Sequence, residues 1–133
     1  MYRPGPSSNG SNGGASAGPI LDLSHHLRDG RNWLVLVGEL DFGSAPQLVA
    51  ALNAAQRDGR PIVVDLRGLR FIDSSGLRAL LHASRAGLRT GLPLQLIAGS
   101  PTVMRVFDLT GTAVHFEWAE VAADAVMGYG GRS

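Results

Sequence analysis

The chain contains no cysteine, so disulfides, thiol catalysis and cysteine-based zinc sites are excluded together. It contains no lysine either: all 12 basic residues are arginine. That removes the lysine of a P-loop and of a kinase phosphate site, leaving a protein suited to receive a phosphoryl group rather than transfer one. No apolar run approaches the roughly 18 residues that suggest a membrane-spanning helix. No apolar stretch follows a basic start, so no secretory signal is expected and cytoplasmic residence is the default. The arginines are interleaved with 11 acids to a net charge of +1, which gives no basic face for nucleic acid. His25, His26, His82 and His115 lack the spacing of any recurrent metal motif, so no metal and no cofactor are expected.

What is present suits one folded domain: 133 residues leave no room for a second ordinary core. Residues 1–18 are Gly, Ser, Pro and Asn with almost nothing to bury, a tail expected to be disordered. Residues 128–133 read as a flexible C-terminus, which leaves 19–127 as the domain. Leu21, Leu23 and Leu27 alternate with polar residues as in a half-buried strand. Asp29-Gly30 signals a hairpin turn, and Trp33 to Val37 reads as a strand covered on both faces.

From Ser44 the period changes. Ser44 and Gln47 fit a capping box, and Leu48, Ala51, Leu52 and Ala55 line one helical face before Asp58-Gly59. Ile62, Val63, Val64 and Leu66 form the next buried strand. A second helix starts near Ser74 with Leu77, Leu80, Leu81, Ser84 and Leu88 inward, ending at Gly91. Leu94–Ile97 is a core strand, and Ser100-Pro101 opens a helix carrying Val103, Val106, Phe107 and Leu109. Val114, Phe116 and Trp118 suit a short edge strand, and 119–127 a closing helix. Strands alternating with helices imply an α/β fold: a mostly parallel sheet of four or five strands with about four helices.

Open α/β sheets meet ligands and partners at the carboxyl ends of their strands. That rim should carry Glu39-Leu40-Asp41 and Phe71-Ile72-Asp73-Ser74-Ser75-Gly76. Hydrolytic use of Ser74 needs a base within reach, and His82 lies eight residues along the same helix, about 12 Å away. The flanks also lack the G-x-S-x-G elbow, so an enzyme is not expected. Asp73 or Ser74 is expected to cap the second helix, worth about 1 kcal/mol. A phosphoserine at that helix start would be tolerated by the fold, while a docked partner would face a desolvated dianion beside Asp73.

At these residues the chain resembles a STAS domain, of the bacterial anti-sigma factor antagonist family that acts in sporulation and stress response. The resemblance spans residues 20–127 and rests on three separated matches in order. These are Gly38-Glu39-Leu40-Asp41 with Ala45-Pro46, Ile62-Val63-Val64-Asp65-Leu66 running through Phe71-Ile72-Asp73-Ser74-Ser75-Gly76-Leu77, and Ser100-Pro101 through Val106-Phe107-Asp108-Leu109-Thr110-Gly111. It implies partner switching: the unphosphorylated antagonist binds an anti-sigma factor that is also a serine kinase, freeing the sigma factor. It further implies inactivation by phosphorylation at Ser74 and reversal by a PP2C-type phosphatase. Asp41, Asp73, Ser75, Gly76, Leu77 and Arg78 are implied to face the partner, and no cofactor or membrane is involved. The free protein is expected to be a monomer. Two positions depart from the family: the Phe42-Gly43-Ser44 run after Asp41 is less polar than expected, a difference that would tune partner choice, and Arg78 stands where a small residue often follows Leu77. The alternative is a STAS module that binds a ligand or scaffolds a transport or signalling complex without phosphorylation.

Overall fold

The computed structural model describes residues 20–120. The expected tail, the C-terminal segment 128–133 and the closing helix beyond residue 120 lie outside these; Ala119 and Glu120 are not helical. In chain order the elements are β1 (Leu21–Arg28), β2 (Arg31–Leu40), α1 (Ala45–Asp58), β3 (Ile62–Ile72), α2 (Ser74–Thr90), β4 (Leu94–Ile97), α3 (Pro101–Thr110), a 3-10 turn (Ala113–His115) and β5 (Glu117–Trp118).

The five strands lie side by side in sequence order. β1 is antiparallel to β2, joined through Asp29 and Gly30 with φ of 54° and 74°, the left-handed pair that a two-residue hairpin requires. Each later strand pairs parallel with its predecessor, because an intervening helix must return the chain to the same end of the sheet. The expected mostly parallel α/β sheet is the observed one.

Burial along β2 shows where the core sits. Leu34, Leu36 and Leu40 are fully buried, Trp33 and Val35 are half-buried, and Val37 is 46% exposed. The expectation of a strand equally covered on both faces is therefore corrected. One face takes the helices: Leu48, Leu52 and Ala55 of α1, Leu77, Leu80 and Ala83 of α2, and Val103 and Phe107 of α3 share a cluster with the inward residues of β2, β3 and β4. A continuous apolar run could not reveal this, because Trp33, Val35 and Val37 alternate with the leucines as equally apolar residues. Leu27 and Leu109, also read as inward, are 60% and 78% exposed.

One correction concerns a helix start. Ser44 precedes α1, yet its side chain makes no cap and the capping box with Gln47 is not formed. Its hydroxyl turns back into the preceding loop, while Gln47 reaches the Leu21 carbonyl at 3.4 Å. Asp73 and Ser100 do cap their helices, accepting from Ser75 and Gly76 and from Val103 respectively.

β3 is the long central strand, and its pairing with β2 slips twice: between Val35 and Val37, and between Gly38 and Glu39. Each slip places an extra residue on β3, which re-aims its end. Beyond the second slip Glu39 faces Phe71 and Leu40 faces Ile72, so both strands finish level at one rim.

Candidate functional site

The rim is built by the ends of β2 and β3 and held by Asp73. The Asp73 backbone N–H donates to the Leu40 carbonyl at 3.1 Å, tying the two strand ends together. Its carboxylate works in two directions. Oδ1 accepts from Ser75 N at 2.8 Å and Gly76 N at 3.2 Å, fixing the first turn of α2. Oδ2 accepts from Phe42 N at 3.1 Å, in the loop after β2. Asp73 is thus a brace with its oxygens in use, more than a free acid offered to a partner.

Asp41 is arranged similarly. Its Oδ1 accepts from Ser44 N at 2.9 Å and lies 3.1 Å from the Ser44 hydroxyl, which in turn accepts from Asp41 N at 2.9 Å. The same hydroxyl lies 2.9 Å from the Glu39 carbonyl. Residues 39–44 therefore form a self-bonded corner in which buried Ser44 is the hub. Ser44 was legible in the sequence only as a helix cap.

Between these braces stands Ser74, the first residue of α2, exposed, with a hydroxyl that engages no partner among the described residues. Ser75 is half-buried and Arg78 is exposed. Gly76 and Leu77, expected on the partner-facing surface, are buried instead. A Cβ on Gly76 would lie 2.5 Å from Leu40 Cγ and 3.1 Å from Ile72 Cγ1, so the missing side chain lets α2 sit directly on the strand ends. Leu77 belongs to the core cluster. These two set the height of the rim, and their neighbours present it.

The sequence marked Phe42 only as part of a less polar run after Asp41, without showing where its ring would lie. Its ring is 80% exposed at the tip of the β2–α1 loop, beside a groove of about 670 Å³ between α1 and α2. Phe42, Pro46, Val49, Ser75, Arg78 and His82 contribute to the lining. The available signal was a lone aromatic among Asp, Gly and Ser in a short loop, where no core demands one. Phe71, 45% exposed, and the Arg70–Glu39 ion pair at 3.4 Å flank the rim on the β3 side.

The histidines are distributed elsewhere. His82 follows Ser74 two turns along α2 and faces the groove. His25 and His26 pair with Leu34 and Trp33, toward the start of β2 and the opposite end of the sheet. His115 lies in the turn before β5, where its carbonyl accepts from Ser84 at 3.4 Å. Among the described residues no histidine bonds Ser74, no cluster could hold a metal ion, and no helix is long and apolar enough to cross a membrane.

The two acids with shifted acidity also lie off the rim. Burial pushes the Asp65 carboxyl up, opposed by Arg67, which pairs with it at 2.7 Å. Asp58 is held below the ordinary carboxylate range, first by the Asn32 amide at 3.0 Å and then by Arg60 at 2.6 Å. Neither bears on Ser74. The arrangement at the rim offers an accessible hydroxyl on a rigidly braced helix start, with an apolar ring and a cation nearby.

Comparison with known proteins gives concordant matches. The family described as "Mlab, STAS domain" matches residues 25–114. The anti-sigma-B factor antagonist of Staphylococcus aureus is 32% identical over 75 residues, covering 56% of this chain and 69% of that protein. Among solved structures, an anti-sigma factor antagonist from Mycobacterium paratuberculosis superposes with a TM-score of 0.71 at 28% identity, covering 86% of this chain and 97% of the other. The antagonist SpoIIAA in its unphosphorylated form gives 0.62 at 26% identity, covering 85% and 98%.

Proposed function

This chain belongs to the STAS domain family, alongside anti-sigma factor antagonists, and from that premise we propose that it is itself such an antagonist, switched by phosphorylation at Ser74. In the unmodified form it docks on an anti-sigma factor that is also a serine kinase, and the sigma factor is released. The kinase moves the γ-phosphoryl group of ATP to Ser74 Oγ: the new Oγ–P bond replaces the β–γ bridge, ADP leaves, and the hydroxyl proton passes to a base on the kinase. A PP2C-type phosphatase returns the serine by hydrolysis. The protein acts in the cytoplasm, free as a monomer, and catalyses no step itself.

The observation that carries this reading is the Ser74 hydroxyl: exposed, unengaged, and seated on a helix start braced independently by Asp73. A kinase can reach it without opening the fold. The added charge, about −1.5 to −2, meets the positive end of α2 and leaves the domain intact. A partner pressed on Phe42, Ser75 and Arg78 would have to desolvate that dianion beside Asp73, at a cost of several kcal/mol. Asp41, through its corner with Ser44, shapes this surface more than it decorates it.

The test combines the chain with its anti-sigma kinase and ATP. A mass gain of one phosphoryl group at Ser74, with simultaneous loss of the complex, is expected. An unmodified Ser74, or a phosphorylated chain that binds undiminished, would refute the switch.

A further inference from the structure

Ser74 and Arg78 stand four residues apart on α2, the spacing that puts two side chains on one helical face with Cβ atoms about 5–6 Å apart. Helical side chains lean toward the helix N-terminus, so the turn that holds Ser74 is within reach of a side chain at position 78. Both residues are exposed. Among the described residues Arg78 has no ion-pair partner, and the rim acids that might have taken it are engaged elsewhere. Asp73 is filled by three backbone N–H groups, Asp41 is bonded to Ser44, and Glu39 pairs with Arg70. An exposed cation without an ion-pair partner among the described residues therefore stands on the same helical face as the acceptor hydroxyl.

We propose that Arg78 is the internal counter-ion of the phosphate on Ser74. The inference rests on the reading that Ser74 is the phosphorylated residue. Arg78 is a positioning residue for the modification: it folds the phosphate down over α2 through charge-assisted hydrogen bonds and favours its doubly ionised form. That places the new charge over the face carrying Ser75 and the mouth of the α1–α2 groove. It also gives the unmodified and modified surfaces opposite local character: a free cation before, a net anion after.

The experiment uses the full chain with phosphoserine installed at position 74 during translation, so no kinase is needed. Phosphorus NMR follows the second ionisation of the phosphate, near about 6 for free phosphoserine. Arg78→Gln is expected to raise that midpoint by about half a unit, with Arg78→Lys restoring most of the shift. The difference should shrink in molar salt, because the pair is exposed. The helix end is common to all three proteins and drops out of the comparison. Equal midpoints in the wild type and Arg78→Gln would overturn the proposal. A separate incubation of the unmodified wild type with kinase and ATP tests the underlying reading: no mass gain at Ser74 would remove the switch, whatever the installed phosphate shows.

Discussion

Asp73 Oδ2 accepts the backbone N–H of Phe42 at 3.1 Å, so the cap of α2 is also the anchor of the loop that presents the exposed aromatic ring. One carboxylate thereby sets the distance between two parts of the rim that come from different strands. Replacing Asp73 with Ala removes both functions at once. A lost cap alone costs about 1 kcal/mol, and the freed Phe42 N–H adds to it. The variant is expected to lose about 1–2 kcal/mol in urea denaturation and to bind the anti-sigma partner more weakly even when unphosphorylated. Wild-type affinity for this variant would mean that the Phe42 loop lies outside the interface.

Ser74 is expected to behave in the opposite way. Its hydroxyl engages no partner among the described residues, so Ser74→Ala should alter stability by less than about 0.5 kcal/mol. Partner binding should persist, while no phosphoryl group is accepted at that position. Ser74→Glu adds one charge at the same point without unfolding the domain. Calorimetry should show at least about 30-fold weaker binding, the lower end of what a badly placed interfacial charge costs. A Glu variant that binds like the wild type would place the partner elsewhere.

These two neighbours illustrate what the sequence could and could not carry. The order of strands and helices was legible because the hydrophobic period changes cleanly at Ser44, Ile62, Ser74 and Leu94. Ser74 was legible because a hydroxyl directly after a strand-ending Asp belongs to the rim whatever the details. The choice of Asp73 over Ser74 as cap was not legible, since both residue types cap well and only backbone geometry decides. Ser44 misled for a related reason: a serine three residues before Gln47 satisfies the capping pattern, but Asp41 and Glu39 lie close enough to claim its hydroxyl. Leu77 was read as inward from its spacing to Leu80 and Leu81 and as partner-facing only from the resemblance, and its burial follows the spacing. Phe42 was legible only as a departure from the family after Asp41, because an exposed ring has no periodic signature that would place it.

Gly76 gives a test of how tightly the rim is set. Alanine is the better helix former by about 1 kcal/mol, so propensity alone favours Gly76→Ala. Its Cβ would nevertheless lie 2.5 Å and 2.8 Å from atoms of the Leu40 side chain, which is fully buried and has no room to retreat. Overpacking of this kind costs about 1–3 kcal/mol, and the steric effect should win. The midpoint of urea unfolding is expected to fall, with Ser74 phosphorylation slowed as α2 is pushed off the strand ends. A stabilised Gly76→Ala protein would show that α2 can shift without consequence.

The far end of the sheet supplies the last expectation, because there a buried amide links an acid to a histidine. Asn32 is 2% exposed; its amide nitrogen donates to Asp58 Oδ2 at 3.0 Å and its oxygen lies 2.6 Å from His25 Nε2. With the Asn32 oxygen acting as acceptor, that histidine nitrogen carries the proton. Asp58 also takes Arg60 at 2.6 Å, and these contacts hold its carboxyl below the ordinary range. A depressed acid stabilises the fold fully above its unfolded value, about 3.9, and loses that contribution as the pH falls through the lower folded value. Asp65 contributes the other way, since burial raises it, so stability attributable to that group declines as the pH rises past its unfolded value. Asp58→Asn removes only the first effect. Denaturation midpoints measured from pH 5 down to pH 2 should therefore fall less steeply for Asp58→Asn than for the wild type. Parallel profiles would mean that the Asn32 and Arg60 contacts to Asp58 do not distinguish the folded from the unfolded chain.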